Sequence, residues 1–440
     1  MIIPESLTAS AGSAYLIVIF VGGLLTNFVP LGPINTGTIL LYSLAGFLSF
    51  AGVLYLLGPL RKHVAIAAFL LLILSCLAVF KAVIDANPMS QRARELAIFF
   101  LGALPFLFFI QIDDPAVRQR FLRILAIGLF GLSVFAIFQS VFADHLPLNL
   151  FVLRGDDPFA VADTVSSSIQ LRPTGLTGNP IILSSILVFA SSYFAAQWLE
   201  RRKLSSLVAL FCSLVGNYLT YTRASFILVI PVLSAVWLFH KRFRIRHKIM
   251  FVAAGCLAVI GAQYLLSSGA DVIILRRLQN SDPEAIQSTL GHLVQIQNAE
   301  SAIMAHPLIG TGIGSQGDFV GPQNAIITDG AWWALVLEFG VPLSLLVVAS
   351  LCIVLTPLTK YVLRQSSGNR ALAIATLSFH AYLFPANFIN SAILGHVSFG
   401  LYWALLGLSL AGIPVTLQRP KPLVRFRELP RVLRPIEGER

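Results

Sequence analysis

Two arginines stand in short polar turns beside long apolar runs. Arg172 lies in a turn rich in Gly, Pro and Thr directly before an apolar run that begins at Pro180, and Arg223 lies between two further apolar runs. A guanidinium group stays charged at any physiological pH and can donate two parallel hydrogen bonds to one phosphate. The pair therefore predicts an anion site at the membrane edge, of the kind that a lipid-linked pyrophosphate would occupy.

Other roles for these arginines remain open from the sequence. Each side chain could instead extend to lipid headgroups or pair with a loop carboxylate, the candidates being Asp156, Asp157 and Asp163. A second basic pair, Arg276 and Arg277, is expected to be solvated or bound to headgroups, and it is also a candidate for substrate binding.

An acidic residue and two tryptophans open another apolar run, in the sequence Asp329-Gly330-Ala331-Trp332-Trp333. Asp329 is predicted to act as a general base or to orient a sugar hydroxyl, and the alternative is a cap at a helix N-terminus. Trp332 and Trp333 are expected either in an interfacial aromatic belt or as a platform on which a sugar stacks.

A glycine-rich run from Gly310 to Gly314 resembles a phosphate-binding loop only superficially. No strand precedes it, and it follows the Pro307 and Gly310 stop of a predicted helix, so a flexible hinge is the better interpretation.

These candidates are positioned by elements that belong in a membrane. Hydrophobic residues make up 56% of the chain and charged residues 12%, and the mean hydropathy is +0.81. Such a composition predicts an all-α polytopic membrane protein, because exposed backbone in lipid must satisfy its own hydrogen bonds. Twelve spans are predicted by length, at 13–29, 36–58, 64–84, 96–110, 121–143, 180–198, 204–220, 224–239, 249–267, 330–356, 371–388 and 396–414.

The basic residues predict the orientation of these spans. With both termini in the cytoplasm, 23 of the 31 Lys and Arg residues fall on the cytoplasmic side, which is the positive-inside pattern. A nucleic-acid partner is excluded as an explanation of the +11 charge, since no aromatic-basic module accompanies it. Residues 1–417 are predicted to form one transmembrane domain, and 418–440 a basic cytoplasmic tail near anionic headgroups, disordered, or bound to a partner.

Two connections, 144–179 and 268–329, are far longer than ordinary helix-helix loops, and both fall on the outer side. Ordered loops of this length are usually functional. The second contains a helix-like stretch with Leu293, Ile296, Ala299 and Ile303 on one face. It is expected to lie along the membrane surface as a floor or lid over a cavity.

The remaining polar and thiol residues are expected to be structural. Cys76, Cys212, Cys256 and Cys352 are predicted to be buried free thiols. His380, Asn387, Asn390 and His396 are expected to hydrogen-bond between helices, because no Asp, Glu or Lys accompanies them.

The order of these parts resembles the O-antigen ligase and polymerase superfamily of bacterial membrane glycosyltransferases. The matching pieces are Arg-x-x-Gly-x-x-x-Asn-Pro at 172–180, the arginine after the next span at Arg223, the His306-Pro307-Leu308-Ile309-Gly310-Thr311-Gly312 run, and a residue pair eleven positions before Gly340. The motifs cover roughly residues 165–345.

The resemblance implies an enzyme that needs no metal and no other cofactor. Its donor would be an undecaprenyl-pyrophosphate-linked glycan, with the arginines on the pyrophosphate, a groove between helices for the polyprenyl tail, and an acceptor hydroxyl attacking the anomeric carbon. The bacterial inner membrane is the implied location, with membrane lipids and other polysaccharide assembly proteins as further candidate partners.

Two departures from the ligase pattern favour the polymerase branch. Ligases carry a His-Asn-like pair where this chain has Asp329-Gly330, and an arginine is frequent where it has His292, which is kept as a candidate substrate-binding residue. Polymerases join repeat units of O-antigen, capsule or exopolysaccharide. Ligase-like transfer, a transporter or flippase, and a non-catalytic export subunit remain as alternatives.

Overall fold

The computed structural model describes residues 5–28, 36–56, 60–85, 89–147, 150–151, 162–165, 168–240, 283–315, 330–364, 370–388 and 396–414. Helices dominate this part of the chain, and they are α1 Glu5–Phe28, α2 Thr36–Tyr55, α3 Lys62–Ile84, α4 Met89–Ala103, α5 Pro105–Phe109, α6 Pro115–Val141, α7 Pro180–Arg201, α8 Leu204–Leu219, α9 Arg223–Phe239, α10 Pro283–Ala305, α11 Ala331–Arg364, α12 Ala371–Ala386 and α13 His396–Ala411.

Most of the predicted spans coincide with these helices. Four of the described helices, α3, α6, α7 and α11, are long and apolar enough to cross a membrane, and shorter apolar helices occupy seven of the other predicted positions. One predicted span, 96–110, is divided between α4 and α5 at Leu104. The span at 249–267 lies outside the described residues, so the number twelve stays a prediction.

A short β-hairpin corrects the purely helical expectation. Strands β1 (Ala162–Val165) and β2 (Ser168–Leu171) pair antiparallel, with Ala162 opposite Leu171. Strand β2 ends immediately before Arg172. The hairpin was missed because its residues form only two short alternating runs inside a loop, whereas transmembrane strands would have to be about ten residues long.

Helix α7 lies at the centre of the bundle and packs against α8, α9 and α12. Most of its side chains are buried, whereas α3 and α6 expose large apolar side chains such as Phe80 and Ile127. Exposed apolar faces on long helices are the arrangement that a lipid environment requires. The surroundings of α7 therefore place the residues on either side of Pro180 next to the protein interior.

At the end that the basic residues predict to be cytoplasmic, ion pairs tie helices together. Arg61 pairs with Asp113 and donates to the carbonyls of Ala411 and Ile413 at the end of α13. Arg370 pairs with Glu200 over 3.5 Å. These basic residues therefore bond helix ends as well as marking orientation.

The cysteine prediction is partly wrong. Cys76 and Cys352 are free thiols but exposed on the outside of the described bundle, and Cys212 is half-buried. In a helix surrounded by lipid an apolar thiol gains nothing by facing inward, so burial does not follow from its chemistry. Cys256 lies outside the described residues.

A helix, α10, is present where the surface helix is predicted, but its apolar face differs from the expected one. Ala299 is fully buried, and Ile296 and Ile303 are half-buried. Leu293 is exposed, together with Leu290 and Val294 on its other flank. The apolar residues therefore occupy two sides of this helix, of which one meets the described protein.

Candidate functional site

The turn that carries Arg172 is shaped by a buried glutamine. Gln139, in the last turns of α6, is fully buried and its Oε1 accepts from the backbone N–H groups of Thr174 (3.1 Å) and Gly175 (2.8 Å). The turn then passes through left-handed backbone at Gly175, Leu176 and Gly178. At Gly175, where φ is 57°, a Cβ atom would lie 2.4 Å from Leu183 Cδ1, so glycine is favoured there.

The same turn ends in a helix cap. Asn179 Oδ1 accepts from the N–H groups of Ile181 (2.8 Å) and Ile182 (3.4 Å), and Pro180 occupies the first helical position. Thr177 Oγ1 donates back within the turn, to Thr174 O at 2.7 Å. The Arg-x-x-Gly-x-x-x-Asn-Pro pattern therefore encodes a rigid turn that joins α7 in a fixed direction.

Arg172 and Arg223 are brought to the same edge of the bundle. Arg172 Nε donates to Thr220 O (2.9 Å), and one terminal nitrogen donates to Thr222 Oγ1 (3.1 Å). Thr222 immediately precedes Arg223, which is the first residue of α9, and the α8–α9 turn passes through left-handed backbone at Tyr221. Both arginines are half-buried, so a charged ligand at this edge would be partly shielded from water.

Beneath the arginines lies a buried hydroxyl network, formed by Ser184, Ser185, Ser225 and Tyr382. The Ser184 and Ser225 hydroxyls are 2.7 Å apart, and Tyr382 Oη lies 2.6 Å from Ser185 Oγ and 3.0 Å from Ser225 Oγ. Sequence reasoning missed this network. Its only signal was the presence of hydroxyl side chains inside three apolar runs, and such residues are common in membrane helices.

The two tryptophans are anchored to the outer end of α12. Trp332 Nε1 donates to Phe384 O (2.8 Å) and its backbone N–H to Asn387 O (3.1 Å), while Trp333 Nε1 donates to Phe388 O (3.2 Å). Both indole N–H groups are thus bonded to backbone carbonyls of the protein. A belt tryptophan usually keeps its N–H in the wet headgroup layer, whereas here each indole N–H already has a partner in the protein.

The His306–Ser315 turn docks into a break in α11. At Gly340 the backbone leaves the helix (φ 77°), so Val341 N–H donates to Pro307 O (2.9 Å) and Leu337 O accepts from Thr311 N–H (2.7 Å). The turn thereby supplies partners for groups that the broken helix leaves open. This contact gives the turn a role in holding α11, beyond the hinge expected from its glycines.

Two carboxylates accept hydrogen bonds from backbone N–H groups of that turn. Asp85 Oδ2 accepts from Ile313 N–H (2.6 Å), and Glu338 Oε1 accepts from Gly314 N–H (3.2 Å). Asp85 is also paired with Lys81. Successive backbone N–H groups in alternating right- and left-handed conformations form a nest that binds anions. Here the bound anions are the Asp85 and Glu338 carboxylates, which argues against a phosphate-binding loop.

The predicted site residues have different outcomes. Arg172 donates to Thr222, and the next residue, Arg223, opens α9, which packs on α7 and α12. Trp332 and Trp333 donate to backbone carbonyls at the end of α12. His292 lies in α10, and its side chain is outside what the structure describes, as is that of Asp163. Also outside the described residues are Asp329, Arg276, Arg277, Asp156 and Asp157.

The histidine expected to bond between helices does so. His380 Nδ1 lies 2.7 Å from Thr376 O and therefore carries the proton, so Nε2 accepts from Tyr402 Oη at 3.0 Å. Asn387 lies just past α12, where its carbonyl receives Trp332. Asn390 and the side chain of His396 lie outside the described residues.

A cavity of about 320 Å³ opens at the opposite end of the bundle, which the basic residues predict to face the cytoplasm, and its polar lining includes Arg61, Gln111 and Asp113. Arg61 is already paired with Asp113, and Gln111 donates to Gly52 O (3.0 Å). These three side chains are thus already bonded within the protein. The outer edge with its two arginines is the stronger candidate for a site that binds an anionic substrate.

Comparison with known families gives one match to this part of the chain. Residues 208–348 match the family model described as O-antigen ligase, a range that includes Arg223, the docked turn and the start of α11. No curated protein matches the chain. The match confirms the resemblance over these residues and supports a multi-pass membrane protein with glycosyltransferase-like activity of the O-antigen ligase and polymerase kind.

Proposed function

We propose that this chain, with its O-antigen ligase domain at 208–348, polymerises oligosaccharide repeat units carried on undecaprenyl pyrophosphate. The units would belong to O-antigen, capsule or exopolysaccharide, and the reaction takes place on the outer face of the bacterial inner membrane. The observation that carries the proposal is the convergence of Arg172 and the Thr222–Arg223 segment at one edge.

The arginines serve the leaving group. As the bond between the anomeric carbon and the pyrophosphate oxygen breaks, its electron pair passes to that oxygen, and guanidinium groups beside it stabilise the added charge. Arg172 is oriented by its bonds to Thr220 and Thr222, so little reorganisation is needed when charge develops. Arg276, Arg277 and His292 are proposed as further contacts to the substrate.

Asp329 is proposed to assist the acceptor. The acceptor hydroxyl oxygen forms the new bond to the anomeric carbon, and its proton passes to the Asp329 carboxylate. Asp329 is followed directly by Gly330, which lies against the carbonyls of Asn387 and Phe388, so the chain reaches the outer end of α12 one residue later. Trp332 and Trp333 are proposed to contact the substrate through their ring faces.

Ligase-like transfer is the second candidate, because the matching family model is that of the O-antigen ligases. In that case the same donor site would pass its glycan to a different acceptor. The Asp329-Gly330 pair in place of a His-Asn-like pair favours the polymerase.

One incubation separates the candidates. Purified protein in lipid vesicles receives lipid-linked repeat units alone, and the products are resolved by size. A ladder of longer glycans supports the polymerase, whereas transfer that requires a second, added acceptor supports the ligase. Uptake of the substrate into the vesicles with no chain growth would identify a transporter and overturn the proposal.

The organisation proposed for the chain follows the sequence analysis. Residues 1–417 form one transmembrane domain, with 418–440 as a cytoplasmic tail and both termini in the cytoplasm. Catalysis is proposed to need no metal, since two guanidinium groups supply the positive charge that a divalent cation would otherwise bring to the pyrophosphate.

A further inference from the structure

The hydroxyl network is completely enclosed. Tyr382 is 1% exposed, Ser185 3%, and Ser184 and Ser225 0%. Its three contacts form an unbroken path from Ser185 through Tyr382 and Ser225 to Ser184, at 2.6, 3.0 and 2.7 Å. No described residue of the network reaches the substrate edge, so its role must be exerted through the elements that carry it.

Two of those elements, α7 and α9, begin at or shortly after the two arginines. Ser225 is two residues after Arg223, in the first turn of α9. Ser184 and Ser185 lie in the second turn of α7, which follows the Arg172 turn through Asn179 and Pro180. Tyr382, on α12, therefore bonds the start of both helices to a third element.

The same stretch of α12 holds the start of α11. Phe384 O and Asn387 O receive the indole and backbone N–H groups of Trp332. At a rise of about 1.5 Å per residue, Tyr382 and Asn387 are about 7.5 Å apart along the axis. One short segment of α12 is therefore bonded to both the arginine helices and the helix that follows Asp329.

We propose that Tyr382 is a positioning residue that holds Arg223 in register with the start of α11, acting through Ser225. This inference rests on the proposed function, because it assumes that the arginines and Asp329 act on one substrate. Apolar helix faces in lipid pack closely but resist sliding only weakly, whereas a directed hydrogen bond fixes the register. A shift of about 1 Å between reacting groups is enough to slow catalysis strongly.

A second buried tyrosine provides the matched control. Tyr402, on α13, donates its hydroxyl to His380 and is also buried. Tyr402→Phe removes the same hydroxyl from the same kind of environment, but neither Tyr402 nor His380 contacts the arginine helices in the described hydrogen bonds. If these buried hydroxyls only stabilise helix packing, Tyr382→Phe and Tyr402→Phe should have the same effect on kcat.

The experiment compares Tyr382→Phe, Ser225→Ala, their double variant and Tyr402→Phe in the full chain, purified into nanodiscs. Elongation of lipid-linked repeat units gives kcat and KM, and thermal unfolding reports folding. We expect Tyr382→Phe to lower kcat about five- to tenfold with KM within about twofold, at a melting temperature no lower than that of Tyr402→Phe. Tyr402→Phe should keep kcat within about twofold, and the double variant should be no slower than the slower single variant.

Two outcomes would overturn the inference. Equal kcat values for the two tyrosine variants would reduce Tyr382 to a structural bond, and a double variant slower by the product of the single effects would show that Tyr382 does not act through Ser225. If Tyr382→Phe fails to fold, Ser225→Ala alone decides the question by the same comparison with Tyr402→Phe.

A different measurement distinguishes failure of the proposed function from failure of this inference. If the wild type makes no longer glycans, polymerisation is wrong, and the positioning role is then decided by hydrogen exchange in peptides covering residues 220–230. Tyr382→Phe should exchange faster there than both the wild type and Tyr402→Phe. Unchanged exchange would overturn the inference.

Discussion

Arg172 donates a hydrogen bond to Thr222 Oγ1 over 3.1 Å, and Thr222 is covalently joined to Arg223. A turn that precedes α7 is thus fixed to a turn that precedes α9, although the two arginines are far apart in the sequence. Arg172 is oriented through two nitrogens of its planar fork, Nε and one terminal nitrogen. A lysine ammonium lacks this fork and cannot reproduce both bonds in the same geometry.

Arg172→Ala should abolish most activity without unfolding the protein. We expect turnover of lipid-linked repeat units to fall about 100-fold, the typical effect of removing one charge-stabilising donor, and Arg172→Lys to be intermediate. Elongation assays with purified protein give the rates. Arg202→Lys is the control, because Arg202 stacks on Trp198 at 4.9 Å and lies at the opposite end of α7. Wild-type rates in Arg172→Ala would remove this residue from the site.

Gln139→Met should destabilise the protein through the Arg172 turn. The substitution preserves most of the volume but leaves the buried N–H groups of Thr174 and Gly175 without their acceptor, at a cost of about 1–3 kcal/mol for each unsatisfied group. Thermal unfolding in detergent measures the loss. Gln119→Met, at the other end of α6, should unfold within about 2 °C of the wild type, and an equal loss in both variants would contradict the prediction.

Gly340→Ala should be among the most damaging single substitutions. A Cβ atom there would lie 2.4 Å from Leu308 O, in backbone that has a φ of 77°. Because both the docked turn and the helix would have to move, we expect a loss of more than about 3 kcal/mol of stability or failure to accumulate in membranes.

Gly131→Ala is the matched control for this glycine. Gly131 lies in α6, and a Cβ atom added there would have no neighbouring atom within 4 Å, so alanine should be neutral or stabilising by up to about 1 kcal/mol. The two variants are compared by membrane yield and thermal unfolding. Tolerance of alanine at Gly340 would mean that the break in α11 is not fixed as described.

Asp85→Ala should lower the free energy of unfolding by more than the loss of the hydrogen bond to Ile313 alone would. Removing the carboxylate leaves Ile313 N–H unsatisfied and the buried Lys81 without its ion partner, and breaking a buried pair typically costs about 3–5 kcal/mol. The double variant Lys81→Met with Asp85→Ala should regain part of that stability. Thermal unfolding of Asp85→Ala, Lys81→Met and the double variant gives a double-mutant cycle. Strictly additive losses of stability would contradict the predicted coupling between Lys81 and Asp85.

Hydropathy predicted the positions of most helices, because the length and composition of an apolar run follow directly from bilayer thickness. It could not predict the β-hairpin at 162–171, whose two strands are too short to give a periodic signal. Nor could it predict the break at Gly340, which depends on contacts with the distant turn at Pro307 and Thr311. The arginine turns were recognisable because Gly175, Gly178 and Asn179 have strong local preferences. Tyr382 and Gln139 carry no such local signal, and only packing shows what they bond.

The residues on either side of 316–329 are both fastened. The preceding turn is held by α3 and α11 through Asp85, Thr311 and Glu338, and the following residues are held by Asn387 and Phe388 beyond α12. The two ends of the stretch that carries Asp329 are therefore set by side chains and carbonyls of the bundle, so the distance that residues 316–329 must span is fixed by α3, α11 and α12.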